Sequence, residues 1–366
     1  MFTLKLLTQE NAIKMAQILI KDTSDKTKET LNAIFVDLIK SNCHLEVVKL
    51  LLIDGRIDPS TNNYCAISNA SENGHLEIVK LLLANSRVDP SANDNHAIKY
   101  ASANGHLEIV KLLLADGRVD PCAGGEYAIG RASKNGHLEV VKLLLADGRV
   151  HPEGDNNYAI KFTSENGHTE VVKLLLADGR VNPGGDNNYA IRCASANGHL
   201  EIVKLLLADG RVDPCADNNY AIKFASINGH IEVVKLLLQD GRINPDYGDN
   251  YAIRCASALG QTEVVKLLLA DSRVDPCASN NYAIRCASIN GHIEVVKLLI
   301  PKIDLSKITD NKILDIAKTI PNEPAKETAK VENKTKKEVL NQIMSIIDDY
   351  NSINETCKIT LNFSIF

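Results

Sequence analysis

The sequence predicts an all-α chain of helix-turn-helix units stacked as a solenoid, with short connecting loops and little or no regular β-structure. Three observations carry this. A block reading NGHLEIVKLLLADG at 197–210 recurs with small changes at 104, 135, 166 and 228, and its histidine column steps by 31 residues each time. Each block holds two apolar patterns of helical period separated by a glycine. The second pattern lacks the wide polar face that a lone surface helix needs. Self-similarity at a fixed period of this length marks an array in which each unit completes the core of its neighbour.

Taken in chain order, residues 1–43 read as a degenerate capping unit: AIKMAQILIKD (12–22) echoes a second helix and NAIFVDLIKSN (32–42) a first helix, with extra polar substitutions suited to an end. The array proper spans 44–300. Its unit at 186–216 shows the logic of the rest. Asn188 reads as an N-cap, opening a first helix over about Tyr189–Asn197 with Ile191, Ala194 and Ser195 on one face. Small side chains there permit close helix approach, and Gly198 supplies a left-handed stop. A second helix over Leu200–Asp209 carries Leu200, Ile202, Val203, Leu205, Leu206 and Leu207, leaving Glu201, Lys204 and Ala208 as a narrow polar stripe. Gly210 ends it, and Pro214 prevents resumption after Arg211-Val212-Asp213.

Beyond the array, residues 301–320 read as a degenerate C-terminal cap in which DNKILDIAK (310–318) echoes a first helix. A charged linker, 321–338, follows. Residues 339–366 are expected to form a helix, with Leu340, Ile343, Met344, Ile347 and Tyr350 on one face, and then a strand-like alternating tail.

Composition narrows the function classes. With 45% apolar and 24% charged residues the chain can fold, but 4% aromatic content and no Trp argue against a large aromatic-lined substrate cavity. A net charge of -5 gives no global pull toward nucleic acid or anionic membrane. No segment reads as a secretory leader or membrane span, so a soluble protein of a reducing compartment, cytoplasmic, is expected. The cysteines travel with the repeat columns (Cys193, Cys255, Cys286; Cys122, Cys215, Cys277). Units packed at about 8–10 Å hold them too far apart for a disulfide, which needs Cα atoms within about 7 Å.

The residues Gly198-His199-Leu200-Glu201-Ile202-Val203-Lys204-Leu205-Leu206-Leu207, then Asp209-Gly210, with Ala194 near the end of the preceding helix, resemble the ankyrin repeat family. Two departures stand out. Tyr189-Ala190-Ile191-Arg192 replaces the family's Thr-Pro-Leu-His opening, and the period is 31 against about 33 in the family. Shorter fingers with little regular strand are therefore expected. This variant, with its Asn-Asn-Tyr-Ala-Ile opening, is similar to ankyrin arrays encoded by large amoeba-infecting DNA viruses. The resemblance implies protein recognition through the fingers and the concave first-helix face, with no catalysis and no cofactor.

The histidines His44, His75, His106, His137, His168, His199, His230 and His292, with Gln261 in the remaining place, invite a metal hypothesis. Units about 8–10 Å apart cannot share an ion whose ligands lie at about 2.0–2.1 Å, so a structural role at the interhelical turn is expected. The Arg column (Arg56, Arg87, Arg118, Arg149, Arg180, Arg211, Arg242, Arg273) is expected to pair with loop acids or last-turn carbonyls.

A basic column, Lys99, Lys161, Arg192, Lys223, Arg254 and Arg285, is broken by Ser68 and Gly130. Three residues before each of its last five members stands a Tyr: Tyr158, Tyr189, Tyr220, Tyr251 and Tyr282. Cations interleaved with rings suit a single-stranded nucleic acid groove. Asp155, Asp186, Asp217 and Asp249 stand just before those tyrosines and can neutralise the ladder, which then serves packing between units or an acidic protein surface. Within one chain, variable positions carry the stronger functional signal. They end the first helix (Glu72, Ala103, Lys134, Glu165, Ala196, Ile227, Ala258, Ile289) or lie in loops (His96, Glu126, His151, Tyr247), with Ile227 and Ile289 expected on an exposed rim. The expectation is a monomeric, non-enzymatic scaffold binding another protein, with single-stranded nucleic acid binding as the alternative and no membrane contact.

Overall fold

In the computed structural model, residues 8–21, 25–41, 44–55, 57, 59 and 66–304 are described. The expected C-terminal cap beyond 304, the linker and the tail lie outside them. The described residues form nineteen α-helices and a closing 3₁₀ turn at Ile300–Lys302, with no β-strand among them. This is an all-α, ankyrin-type solenoid.

Two compact units divide it. The first runs through Ala194 and takes in Glu201–Asp213; the second takes Ser195–Leu200 and everything described from Pro214 on. The first opens with α1 (Gln9–Lys21), α2 (Asp25–Ser41) and α3 (Leu45–Ile53). Helix pairs follow: α4 (Ala66–Glu72) with α5 (Leu76–Leu83), α6 (Ala92–Ala103) with α7 (Leu107–Ala115), α8 (Ala123–Lys134) with α9 (Leu138–Ala146), α10 (Gly154–Glu165) with α11 (Thr169–Ala177), and α12 (Gly185–Ala196) with α13 (Leu200–Ala208). First helices α4, α6, α8 and α10 pack in succession, as do second helices α3, α5, α7, α9 and α11. Helix α2 lies against α4, and α1 against α3.

The second unit repeats the arrangement with α14 (Ala216–Ile227), α15 (Ile231–Gln239), α16 (Tyr247–Ala258), α17 (Thr262–Ala270), α18 (Ala278–Ile289) and α19 (Ile293–Leu299). In both units the second helix buries its Ile/Val-Val pair and one Leu, as at Ile109, Val110 and Leu113, while the loop adds one Val or Ile, as at Val119. Each such side chain removed from water contributes about 1.5–3 kcal/mol. Two short helices alone cannot offset an ordering cost of about 1–2 kcal/mol per residue, so each pair depends on its neighbours.

The first helices differ from expectation at their start. Asp186, Asn187 and Asn188 all have positive φ (52°, 52° and 59°), and the same left-handed triplet recurs at 93–95, 124–126, 155–157, 217–219, 248–250 and 279–281. Asn, Asp and Gly visit this region at low cost, which accounts for every triplet residue but Glu126 and Ser279. The right-handed helix begins only afterwards, at Tyr189 in α12. The expectation that Asn188 caps the helix is corrected: its Oδ1 accepts from the backbone N–H of Asp213 at 2.7 Å, 25 residues on. Asn95, Asn157, Asn219 and Asn250 do the same for Asp120, Asn182, Asn244 and Asp275. The residue thus ties one loop to the next.

Two other columns join adjacent repeats. His137 Nε2 lies 2.9 Å from the carbonyl oxygen of Ala103, and Asn135 Nδ2 donates to that same oxygen at 2.7 Å. Both lone pairs of a helix-terminal carbonyl are so engaged. His106, His230 and His292 make the same contact, and Gln261 Nε2 donates to Ile227 O at 3.0 Å. The Asp-Gly-Arg loops at 116–118, 147–149, 178–180, 209–211 and 240–242, in turn, each make a fork. Arg149 donates from Nε and Nη2 to Asp147 at 2.9 and 2.7 Å, and from Nη1 to Val119 O at 2.9 Å in the preceding repeat.

Candidate interaction face on the first helices

In the first unit the first helices carry two interleaved columns. One is His96, Tyr127, Tyr158 and Tyr189; the other, four residues further along each helix, is Tyr100, Arg131 and Phe162. Residues i and i+4 share a helical face, and neighbouring helices bring the columns together.

The result is one continuous zigzag. His96 stacks on Tyr100 with centroids 4.0 Å apart, and Tyr100 lies 5.4 Å from Tyr127. Arg131 Cζ lies 5.0 Å from the Tyr127 centroid and 5.2 Å from that of Tyr158. Tyr158 then meets Phe162 at 4.2 Å, and Phe162 meets Tyr189 at 5.5 Å. All but the fully buried Tyr189 are half-buried. A guanidinium between two rings gains from the negative potential of both faces while its in-plane N–H groups stay free to donate.

The expected basic column is placed differently. Lys161 is 8% and Arg192 6% exposed, and Tyr189 and Tyr220 are 1% and 3% exposed. Lys161 Nζ is 2.8 Å from Asp186 Oδ2 and 5.6 Å from the Tyr189 ring. Lys99 pairs with Asp94 at 2.7 Å, and Arg192 lies over Tyr189 at 5.8 Å. Carboxylates from the left-handed triplets therefore engage Lys99 and Lys161. Burial leaves Lys161, Arg192, Tyr189 and Tyr220 little surface to offer.

The second unit carries Lys223, Arg254 and Arg285 with Tyr220, Tyr251 and Tyr282. Lys223 sits 5.1 Å from the Tyr247 ring and 5.2 Å from Tyr251, and burial pulls its ammonium below the usual lysine range. Arg254 lies between Tyr251 (5.9 Å) and Tyr282 (5.2 Å), bonds Ser279 Oγ, and approaches Asp249 at 3.3 Å. Arg285 is 6.0 Å from Tyr282. Tyr220 stacks on Phe224 at 4.1 Å, but Cys255 and Cys286 occupy the next places in that column, so the ring zigzag stops. Burial raises the Cys255 thiol to about 11 and the Cys122 thiol to about 12. Neither is poised as a nucleophile.

Ile227 and Ile289, expected on an exposed rim, are half-buried. Of the variable rim positions, Lys134 stands out: its Nζ lies 5.1 Å over the Phe162 ring. Column-by-column reading missed Arg131 because it lies one place beyond the basic column. The signal was present, since Arg131 replaces an aromatic residue between Tyr100 and Phe162 while Gly130 vacates the basic column. A Cβ at Gly130 would lie 3.0 Å from Tyr158 Cδ1, so the missing side chain makes room for that ring.

No helix among the described residues is long and apolar enough to cross a membrane. None of the curated proteins searched matches the chain. The model of the ankyrin repeat family, in its three-copy form, matches in overlapping registers at residues 4–94, 35–124, 67–153, 98–185, 129–218, 157–249, 191–280 and 224–311. With its paired helices, left-handed Gly-His turns and 31-residue period, the chain belongs to the ankyrin repeat family.

Proposed function

We propose that this chain is a non-enzymatic adaptor that holds another protein against the first-helix face of its first unit. Ankyrin repeats are general protein–protein interaction modules. The observation that carries the reading here is the half-buried zigzag from His96 to Phe162, centred on Arg131. Aromatic residues and Arg dominate binding hot spots because they bury large rigid areas at small entropic cost. Single-stranded nucleic acid fits less well, since Lys99, Lys161 and Arg254 face carboxylates rather than open groove. The described cysteines Cys122, Cys193, Cys215, Cys255, Cys277 and Cys286 are thiols outside any disulfide, which suits action in a reducing compartment such as the cytoplasm.

A photo-crosslinking residue at Tyr158, compared with one at Lys173 on the second-helix face, tests this in an extract of the native cell. The expected result is a discrete crosslinked protein from position 158 and none from 173. Crosslinks from 173 alone, or from 158 to nucleic acid, would overturn the reading.

A further inference from the structure

We propose that Arg131 and Lys134 form a recognition site for an acidic, aromatic- or aliphatic-containing peptide segment of the partner. This deepens the adaptor reading and rests on it. The argument begins with charge. Lys99 and Lys161 on the neighbouring first helices are each spent on a carboxylate, Asp94 and Asp186. Arg131 and Lys134 are different: neither is ion-paired among the described residues, and their side chains meet rings alone.

Local sequence explains why. The left-handed triplet that opens α8 is Gly124, Gly125 and Glu126, where five of the six other described triplets carry an Asp and all six carry Asn. Glu126, the only acid of that triplet, is 8% exposed and so turned away from solvent. Burial raises its carboxyl above the usual range, and its strongest opposing contact is with Cys122. This triplet thus offers no exposed counter-charge, and neither Arg131 nor Lys134 makes an ion pair with the exposed Asp155 that opens the next first helix.

Geometry supplies the rest. The guanidinium of Arg131 is clamped between Tyr127 and Tyr158, so its plane is fixed before a ligand arrives and little rotamer entropy remains to be lost. Its edge can donate two parallel N–H groups to one carboxylate. Lys134 lies one helical turn further on the same helix, over Phe162, and adds a second positive charge. The flanking half-buried rings of Tyr158 and Phe162 offer apolar area to side chains between the acids. Two fixed cations set among rings fit alternating acidic and apolar residues.

The test uses the full chain and fluorescein-labelled peptides read by anisotropy: one alternating Glu with Phe, its counterpart with Lys for Glu, and an oligothymidine. The Glu peptide is expected to bind, and the Lys peptide and oligothymidine to bind at least about tenfold more weakly. Arg131→Gln and Lys134→Gln should each weaken the Glu peptide about tenfold, and Lys173→Gln, on the other face, should leave it unchanged. Arg131→Lys guards against a folding defect, because it keeps the charge, loses the planar fork and should fall between wild type and Arg131→Gln. No binding of the Glu peptide, equal binding of the Lys peptide, tighter oligothymidine binding, or indifference to Arg131→Gln and Lys134→Gln would each overturn the proposal. If it fails while position 158 still crosslinks a protein, the adaptor reading stands and only the acidic preference falls.

Discussion

The imidazole of His137 rests against the α-carbon of Gly105, so closely that a Cβ there would lie 2.6 Å from Nδ1. Gly105 also has φ +78°, a region that costs an L side chain energy. Gly105→Ala is therefore expected to lose about 1 kcal/mol from backbone strain and a further 1–3 kcal/mol or so from overpacking against the imidazole. Gly117, which has open space around it, is the control. Urea unfolding of the full chain should show Gly117→Ala within about 0.5 kcal/mol of wild type. Equal losses at the two positions would remove the His-Gly contact from the account of stability.

The bond from His137 to Ala103 O, at 2.9 Å, is separable from the packing of its ring. Gln261 occupies the equivalent place naturally and makes the equivalent bond. His137→Gln should retain most of the stability, whereas His137→Ala loses the bond and opens a void, costing about 2 kcal/mol or more. Thermal melts of the two variants decide this; a Gln variant as unstable as the Ala variant would show that the ring, and not its hydrogen bond, matters.

Acid should weaken the array in two stages. Burial lowers the pKa of His230 below the ordinary histidine value, so its contribution to stability is present above about pH 6.5 and is lost as pH falls toward the folded value. The guanidinium forks lower the carboxyls of Asp116, Asp147, Asp178, Asp209, Asp240 and Asp271. Their contribution holds above about pH 3.9 and disappears below it as each folded pKa is crossed. Urea midpoints measured across this range should fall in both windows. His230→Gln should reduce the fall in the upper one alone, leaving the part due to His96, whose pKa burial also lowers, and Asp147→Asn should reduce the fall in the lower one.

A column of buried hydroxyls offers the opposite sign. Ser102, Ser133 and Ser164 are fully buried, and their Oγ atoms have no hydrogen-bond partner. A buried unsatisfied hydroxyl costs about 1–3 kcal/mol on mutational scales. Ser→Ala at these three positions should raise the melting temperature additively, since close helix approach needs a small side chain and not its oxygen. A lowered melting temperature would show that these hydroxyls stabilise the array and would sink this account.

Much of this was legible in the sequence because two kinds of signal survive without coordinates. The 31-residue step fixed the array, and the Leu200–Asp209 pattern placed a helix observed at Leu200–Ala208. The start of the first helix was not legible, because Asn suits both an N-cap and a left-handed turn, and the interval of 25 residues between Asn188 and Asp213 is invisible to local rules. The face was half legible. Pairing each Tyr with a cation three residues on picked out Lys161 and Arg192, which the fold buries. The i, i+4 pairing of Tyr127 with Arg131 and of Tyr158 with Phe162 builds the accessible face, and no column of identical residues marks it.

Lys161 and Arg131 accordingly separate structure from recognition. Lys161 is 8% exposed, with Asp186 Oδ2 at 2.8 Å. Lys161→Glu would set one carboxylate against another in a buried place and should cost about 3 kcal/mol or more. Lys161→Met keeps the volume and leaves Asp186, whose side chain is 34% exposed, to water, so a loss of about 1 kcal/mol is expected. Arg131→Gln removes a half-buried cation that satisfies no acid and should stay within about 1 kcal/mol of wild type, the usual worth of such a ring contact. Urea unfolding of the three variants tests the ranking. If Arg131→Gln unfolds the chain as readily as Lys161→Glu, then the stacked guanidinium holds the helices together, and its donors are not held in reserve for a partner.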